Sequence, residues 1–333
     1  MDYTFRLAAP KDKPAIIAFM RKHWDSRHPL IELPDFFSYY YEAFPGRLSF
    51  ALCEQGDAIA ALAGLVAASA APSPDLWVSL WVADKAAKGS GLELMEQIPA
   101  LTGCHTLACN NIRPETLPFY RFLGFEAGRV GHFYRLADRP PDGYRLARIA
   151  EKDIPPATGD AALALLPDAA ALAASGFVPP AGISPRKDLW YLARRYFNYP
   201  RQRYALYAAT APGAATPTAL LALRVIPAAG THVLRIADYI GPVDFLPRCG
   251  AAIARLMAEF GAEYADCYCA GIPAETMRAA GFAERVENSP NIIPNYLDPP
   301  LYENTDYYYF TSRPKGFTLF KADGDQDRPN TPV

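Results

Sequence analysis

The sequence is short of histidine and of methionine, with only 5 of each in 333 residues. Its six cysteines, at 53, 104, 109, 249, 267 and 269, include no Cys-x-x-Cys pair. A zinc or iron–sulfur centre needs thiolates and imidazoles gathered at ligand spacing, so no metal is expected. Cys267 and Cys269 would share one strand face, but no histidine or second pair supports them. The cysteines read as reduced, buried residues. A long apolar run is missing too: none approaches the ~18 residues of a membrane span. The opening Met-Asp-Tyr-Thr-Phe-Arg is not a basic-then-apolar leader, so a cytoplasmic protein without a membrane partner is expected. Charged residues make up 20% and the net charge is −2. Without a general basic field, nucleic acid is not an expected partner.

What is present is enough apolar material, 51%, for two cores, and the length suggests two domains. Tyr3–Leu7 reads as a strand. Asp12 and Pro14 open a helix whose Ile16, Ile17, Met20 and Trp24 recur at helical spacing. A second helical stretch covers Phe36–Phe44. Ser49–Cys53 and Ala58–Ala68 form a hairpin about Glu54-Gln55-Gly56-Asp57. Leu76–Val82 is a strand that runs into Lys88-Gly89-Ser90-Gly91 and a helix from Leu92. Leu117–Leu123 reads as a short helix carrying Tyr120; Gly124 stops it, and Phe125–Leu136 closes the sheet. Ala137–Gly143 has the composition of a linker.

The order then repeats. Tyr144–Ile149 resembles the opening strand, and Asp188 caps a helix reaching Phe197. Tyr199-Pro200 and Tyr204–Tyr207 match Phe44-Pro45 and Phe50–Cys53. Met277–Phe282 matches Tyr120–Phe125. The offset stays close to 155 residues throughout, which indicates a duplicated fold. The expected division is 1–136, a linker at 137–143, and 144–333. The second copy lacks the Gly-x-Gly turn, since Val233–Ile240 leads into Gly241–Pro247. It also has Met277 in the place of Tyr120.

A strand, a glycine turn and a helix N-terminus leave backbone N–H groups and a positive dipole in one place, which suits a pyrophosphate. Tyr120, one helix away, carries a hydroxyl proton at neutral pH that could go to a leaving group. In this order the two motifs resemble those of the GNAT superfamily of acyl-CoA-dependent N-acyltransferases, namely Arg/Gln-x-x-Gly-x-Gly/Ala and Tyr-x-x-x-Gly-Phe, over roughly residues 1–136. Ala86 stands where the first motif has Arg or Gln, and Asn111 lies nine residues before Tyr120 where the family spaces such an Asn by seven. The resemblance implies an α/β class with mixed (α+β) sheets in two tandem GNAT-like domains. It implies acetyl-CoA or another acyl-CoA as co-substrate. Gly89, Ser90, Gly91 and Lys88 would meet the pyrophosphate, Trp81, Val82 and Asn111 would complete the cofactor site, and Tyr120 would be the general acid.

Outside these motifs, no general base is identified. Glu115 suits the helix dipole, and Asp75 starts the signature strand. Asp238 lies within an apolar strand, so it is either paired with a cation or available to an acceptor; it is the residue expected to bind substrate. The stretch Asn288–Phe310 is rich in Asn, Pro and Tyr and leads to an acidic end from Lys321; this ending, mainly over the last thirty residues, resembles two-domain GNAT-like proteins of bacterial surface-saccharide synthesis. The alternate acids of that end cannot complete an EF-hand, whose twelfth position would fall beyond Val333. The expected activity is acyl transfer to a small amine, with an amino sugar or nucleotide-linked sugar as the favoured acceptor class, without a covalent enzyme intermediate. The rivals are a Fem-type aminoacyl transferase, which would need a basic surface for tRNA, and a non-catalytic protein that kept the fold.

Overall fold

The computed structural model describes residues 2–25 and 27–328. The first half contributes β1 (Thr4–Leu7), α1 (Lys13–His23), α2 (Pro29–Glu32), α3 (Pro34–Tyr41), β2 (Phe50–Gln55), β3 (Ala58–Ala67) and β4 (Leu76–Ala83). It continues with α4 (Ser90–Thr102), β5 (Leu107–Ile112), α5 (Leu117–Phe122), β6 (Glu126–Arg129) and β7 (Gly131–Leu136). The second half contributes β8 (Ala162–Leu166), α6 (Ala169–Ala174), α7 (Leu189–Tyr196), β9 (Ala205–Thr210), β10 (Ala219–Ala228) and β11 (Thr231–Ile240). After these come α8 (Gly250–Glu259), β12 (Ala262–Ala270), α9 (Ala274–Ala279), β13 (Ala283–Arg285), β14 (Tyr308–Thr311) and β15 (Leu319–Phe320). Among the described residues no helix is long and apolar enough to cross a membrane.

The strands form two mixed sheets. One has the order β1-β2-β3-β4-β5-β14-β6 and the other, read from its far edge, β8-β9-β10-β11-β12-β7-β13, with β15 added to β12. The two orders correspond slot by slot, as the repeat predicts. In both, the fourth and fifth strands run parallel, joined by a helical crossover, and the others are antiparallel. β4 is almost wholly apolar because it lies in mid-sheet between two layers of packing.

The slot between the fifth and sixth strands is filled in each sheet by the other half of the chain. β14 pairs with β5 and β6, and β7 pairs with β12 and β13. The sheets therefore do not part at residue 136. Phe125–Leu136 is not one closing strand but two, which belong to different sheets. Only Val130 separates them; it is buried, and its N–H donates to the Tyr307 carbonyl (2.8 Å). At Gly131 an added Cβ would lie 2.7 Å from the Phe133 ring and 3.2 Å from the Cys269 carbonyl oxygen, so the crossing is tight against the second sheet.

The opening strand of the second repeat is β8, not Tyr144–Ile149. The latter segment alternates like a strand, but its N–H groups are taken by a side chain. The buried Glu263 carboxylate accepts from Arg145 (2.7 Å), Leu146 (2.8 Å) and Ala147 (2.8 Å). Three charge-assisted bonds to one carboxylate replace a ladder. The cap at Asp188 is present, its carboxylate accepting from Tyr191 N at 2.8 Å. Between the sheets, Trp77, Tyr199, Tyr268, Phe317 and Leu319 belong to one buried cluster, so both halves and the C-terminal segment share a core.

Candidate functional site

The strand β4 and its parallel neighbour β5 pair only at Leu76–Leu107 and Trp77–Ala108, then separate. The diverging end of β4 leads into the turn before α4. Gly89 turns the chain there with φ 85°, a left-handed conformation that glycine adopts without a Cβ penalty. Ser90 N–H is used locally, bonding to Ala87 O at 3.2 Å, and Glu93 N–H closes the first helical turn on Gly89 O at 3.0 Å. Gly91 and Leu92 N–H have no backbone partner among the described residues and face the end of the helix dipole.

An open trough of about 440 Å³ lies over this turn, lined by Trp81, Lys85, Lys88, Gly89, Gly91 and Phe119 among others. Trp81 Nε1–H donates to Gly91 O at 3.2 Å, and its ring stacks on Phe119 with centroids 5.1 Å apart. A Cβ on Gly91 would lie 3.0 Å from the Trp81 ring and 3.2 Å from Ala83 Cβ, so this glycine lets the helix start sit against the strand. Free N–H groups, two lysines and a glycine turn fit a diphosphate.

The predicted residues do not all gather here. Trp81, Lys88, Gly89 and Gly91 line the trough. Ser90 is fully buried, and its hydroxyl donates to Ala87 O (2.8 Å), so its side chain holds the turn rather than a ligand. Val82 points into the core shared with the second half. Asn111, at φ 68°, sits apart, donating to the Gln326 side chain at 3.3 Å on the wall of a different cavity. Asp75 ties loops, accepting from Thr106 N (3.0 Å) and Arg186 N (2.8 Å). Lys85 and Phe119 were not singled out from the sequence; each stands beside a motif that was.

Tyr120 lies directly behind the trough. It is buried, stacked on Phe310 of β14 (centroids 4.2 Å), with Trp81 and Phe119 at 6.1 and 5.7 Å. Its hydroxyl makes no hydrogen bond among the described residues, and burial pushes it well above the usual phenol range. The group is therefore an acid that keeps its proton through the whole working range of pH.

Asp238 is a correction. It is fully buried and committed: Lys187 Nζ donates to both its oxygens at 2.8 Å, and the Tyr196 hydroxyl donates to Oδ2. Lys187 also stands 2.7 Å from Asp323 Oδ1, an ion-pair distance off the line of a hydrogen bond. Burial favours the neutral amine, yet the two carboxylates hold Lys187 above its ordinary value; burial pushes Asp323 up to about 6. An acceptor cannot reach Asp238, because the cation it needs is already inside the protein. Lys187→Met is expected to cost about 3–5 kcal/mol in urea unfolding, since it strands two carboxylates in the core. A loss below ~1 kcal/mol would mean that the pocket is wet.

The equivalent helix start in the second half is closed. Ala251 N–H, the partner of the free groups at α4, donates to Thr158 O at 2.8 Å, and a Cβ on Gly250 would meet Thr158 O at 2.8 Å. The parting of β11 and β12 after Ile236–Cys267 is filled by β15, which pairs at Cys269–Phe320 and Ala270–Leu319. Met277, in the place of Tyr120, is buried in that half's core.

No family model matches the chain, and no curated protein resembles it in sequence. Solved structures do resemble it in fold. A GCN5-related N-acetyltransferase from Anabaena variabilis superposes with TM-score 0.54 at 12% identity, covering 93% of this chain and 72% of that one. A conserved protein from Enterococcus faecalis, described as a probable N-acyltransferase, gives TM-score 0.53 at 10% identity with the same coverage. Both superpositions extend over nearly the whole of this chain. The chain shares the α/β fold of these solved structures, built twice in tandem, with the two copies exchanging one strand.

Proposed function

We propose that this protein is an acyl-CoA-dependent N-acyltransferase, moving an acetyl or similar short acyl group to a small amine, and that only its first half binds the acyl-CoA. The observation that carries this reading is the contrast between helix starts: among the described residues Gly91 and Leu92 N–H have no backbone partner at α4, whereas Ala251 N–H is already bonded at α8. The pyrophosphate would lie on those free groups, with Lys85 and Lys88 adding point charge. The edge of β4 beyond Trp77, unpaired toward β5, offers backbone groups to an extended arm. Acyl-CoA would supply the activated thioester carbonyl. Tyr120 would give its proton to the sulfur as the C–S bond breaks, while the neutral acceptor nitrogen bonds to carbon and then loses its extra proton to solvent. An amino sugar or nucleotide-linked sugar remains the acceptor class we favour, on the resemblance of the C-terminal stretch.

Acetyl-CoA is expected to raise the melting temperature of the intact chain, by mass action on the native state; at 100 times Kd the gain is about 2.7 kcal/mol. Gly91→Val should abolish the shift by forcing Trp81 and the helix start apart, and Lys88→Ala should weaken it. A shift that survived Gly91→Val would place the cofactor elsewhere. One observation favours a second reading, a binding protein without turnover: Trp81 and Phe119 stand between Tyr120 and the trough. Acetyl-CoA binding without acetylation of any amine in a broad acceptor screen would support it.

A further inference from the structure

A second cavity, of about 380 Å³, lies between the halves, with Asn111, Arg224, Arg235, Asn295, Tyr307 and Lys321 on its walls. It shares no lining residue with the trough at α4. Lys321 follows β15 directly and is 7% exposed. Its ammonium lies over the Tyr307 ring, 3.5 Å from the centroid, and 5.4 Å from that of Tyr268. It makes no hydrogen bond or ion pair among the described residues.

The carboxylates near it are spoken for. Asp266 receives both arms of Arg235, at 2.9 and 2.6 Å. Asp327 takes Arg224 at 2.6 Å and the Tyr204 hydroxyl at 2.9 Å. A buried cation facing another cation, without its own counter-ion, either loses its proton or acquires an anion. Burial first, and then Arg235, draw Lys321 down to about 7. The opposite need stands on the same wall: Asn295 donates its Nδ2 proton to the Tyr307 hydroxyl (2.6 Å), leaving its buried Oδ1 without a partner. A buried amide oxygen of this kind wants a donor.

We propose that this cavity binds a small molecule carrying an oxyanion, phosphate or carboxylate, and a hydroxyl or amino donor, with the oxyanion on Lys321 and the donor on Asn295 Oδ1. Arg224 supports the same end, because its bond to Asp327 leaves guanidinium N–H groups over. The aromatic faces of Tyr307 and Tyr268 hold the lysine in place.

The test is thermal melting of the full chain with glucose 6-phosphate, glucuronate and glucose, against chloride at matched ionic strength. Glucose 6-phosphate or glucuronate should raise the melting temperature well beyond glucose, and the stronger of the two identifies the oxyanion. Lys321→Met should weaken that binding roughly 10–100-fold, the loss of one charge-assisted contact. Asn295→Asp, which puts a negative charge on the cavity wall, should weaken it without removing the lysine. Gly91→Val should leave it intact, which separates this site from the acyl-CoA trough. If neither anion stabilises the chain more than glucose does, or if Lys321→Met binds them as tightly as the parent, the proposal is wrong.

Discussion

A chain ending at Asp306 is expected to show no cooperative melting in either half. Such a cut removes β14, which lies between β5 and β6, and β15, which sits in the parting of β11 and β12. With them go Phe310, Phe317, Leu319 and Phe320, each 4% exposed or less. A fully buried side chain of this size is worth about 1.5–3 kcal/mol in transfer alone. Their sum rivals the ~5–15 kcal/mol that holds a whole protein folded, before the orphaned edges of β5 and β6 are counted. Arg195 would also lose the carbonyls of Ala322 (2.9 Å) and Gln326 (2.7 Å) to which it donates deep in the core. Calorimetry gives the answer: a truncated chain that still melts in one sharp transition near the parental temperature would show that the exchanged strand is ornamental.

Tyr120→Phe is expected to lower kcat by about 10²–10⁴-fold while leaving the acyl-CoA Kd unchanged, as loss of a general acid does. Burial keeps the phenol protonated, and the absence of a hydrogen-bond partner leaves its proton free to be given. The aromatic stack on Phe310 does not need the hydroxyl, so the variant should fold as the parent does. The mutation therefore separates chemistry from packing. Met277→Leu, at the equivalent place in the second half, exchanges one buried apolar side chain for another and should leave turnover alone. An unchanged kcat in Tyr120→Phe would make the tyrosine a core residue and strengthen the reading of a protein that binds without turnover.

What could be read from the sequence was local or periodic. The apolar run of β4, the Gly-Ser-Gly turn, the helix that Gly124 ends and the cap at Asp188 each announce themselves within a few residues. The duplication was legible because an offset is a property of the chain alone. Partnership was not. A strand such as Gly131–Leu136 carries a period of two but no address, so nothing in it says that β12 rather than β5 is its neighbour. Tyr144–Ile149 has the alternation of a strand, but Glu263, more than a hundred residues on, takes its N–H groups. Asp238 stood out correctly as a charge that needed an explanation, and the explanation was Lys187, which sits in an unremarked loop 51 residues earlier. Lys321 was hidden for the same reason: its want of a partner is visible only when Arg235, Asp266 and Tyr307 are folded around it.

The exchange of strands sets a timetable for synthesis. When β6 has emerged from the ribosome, β14 is still about 180 residues away, roughly 10–35 s at ~5–20 residues per second. Throughout that interval the place of Phe310 beside Tyr120 stands empty, and β5 and β6 have nothing between them. The nascent first half is obliged to wait, half-built and adhesive, until β14 is translated. Chaperone supply and local translation speed therefore bear on the yield of this protein more than on that of a chain whose halves close independently.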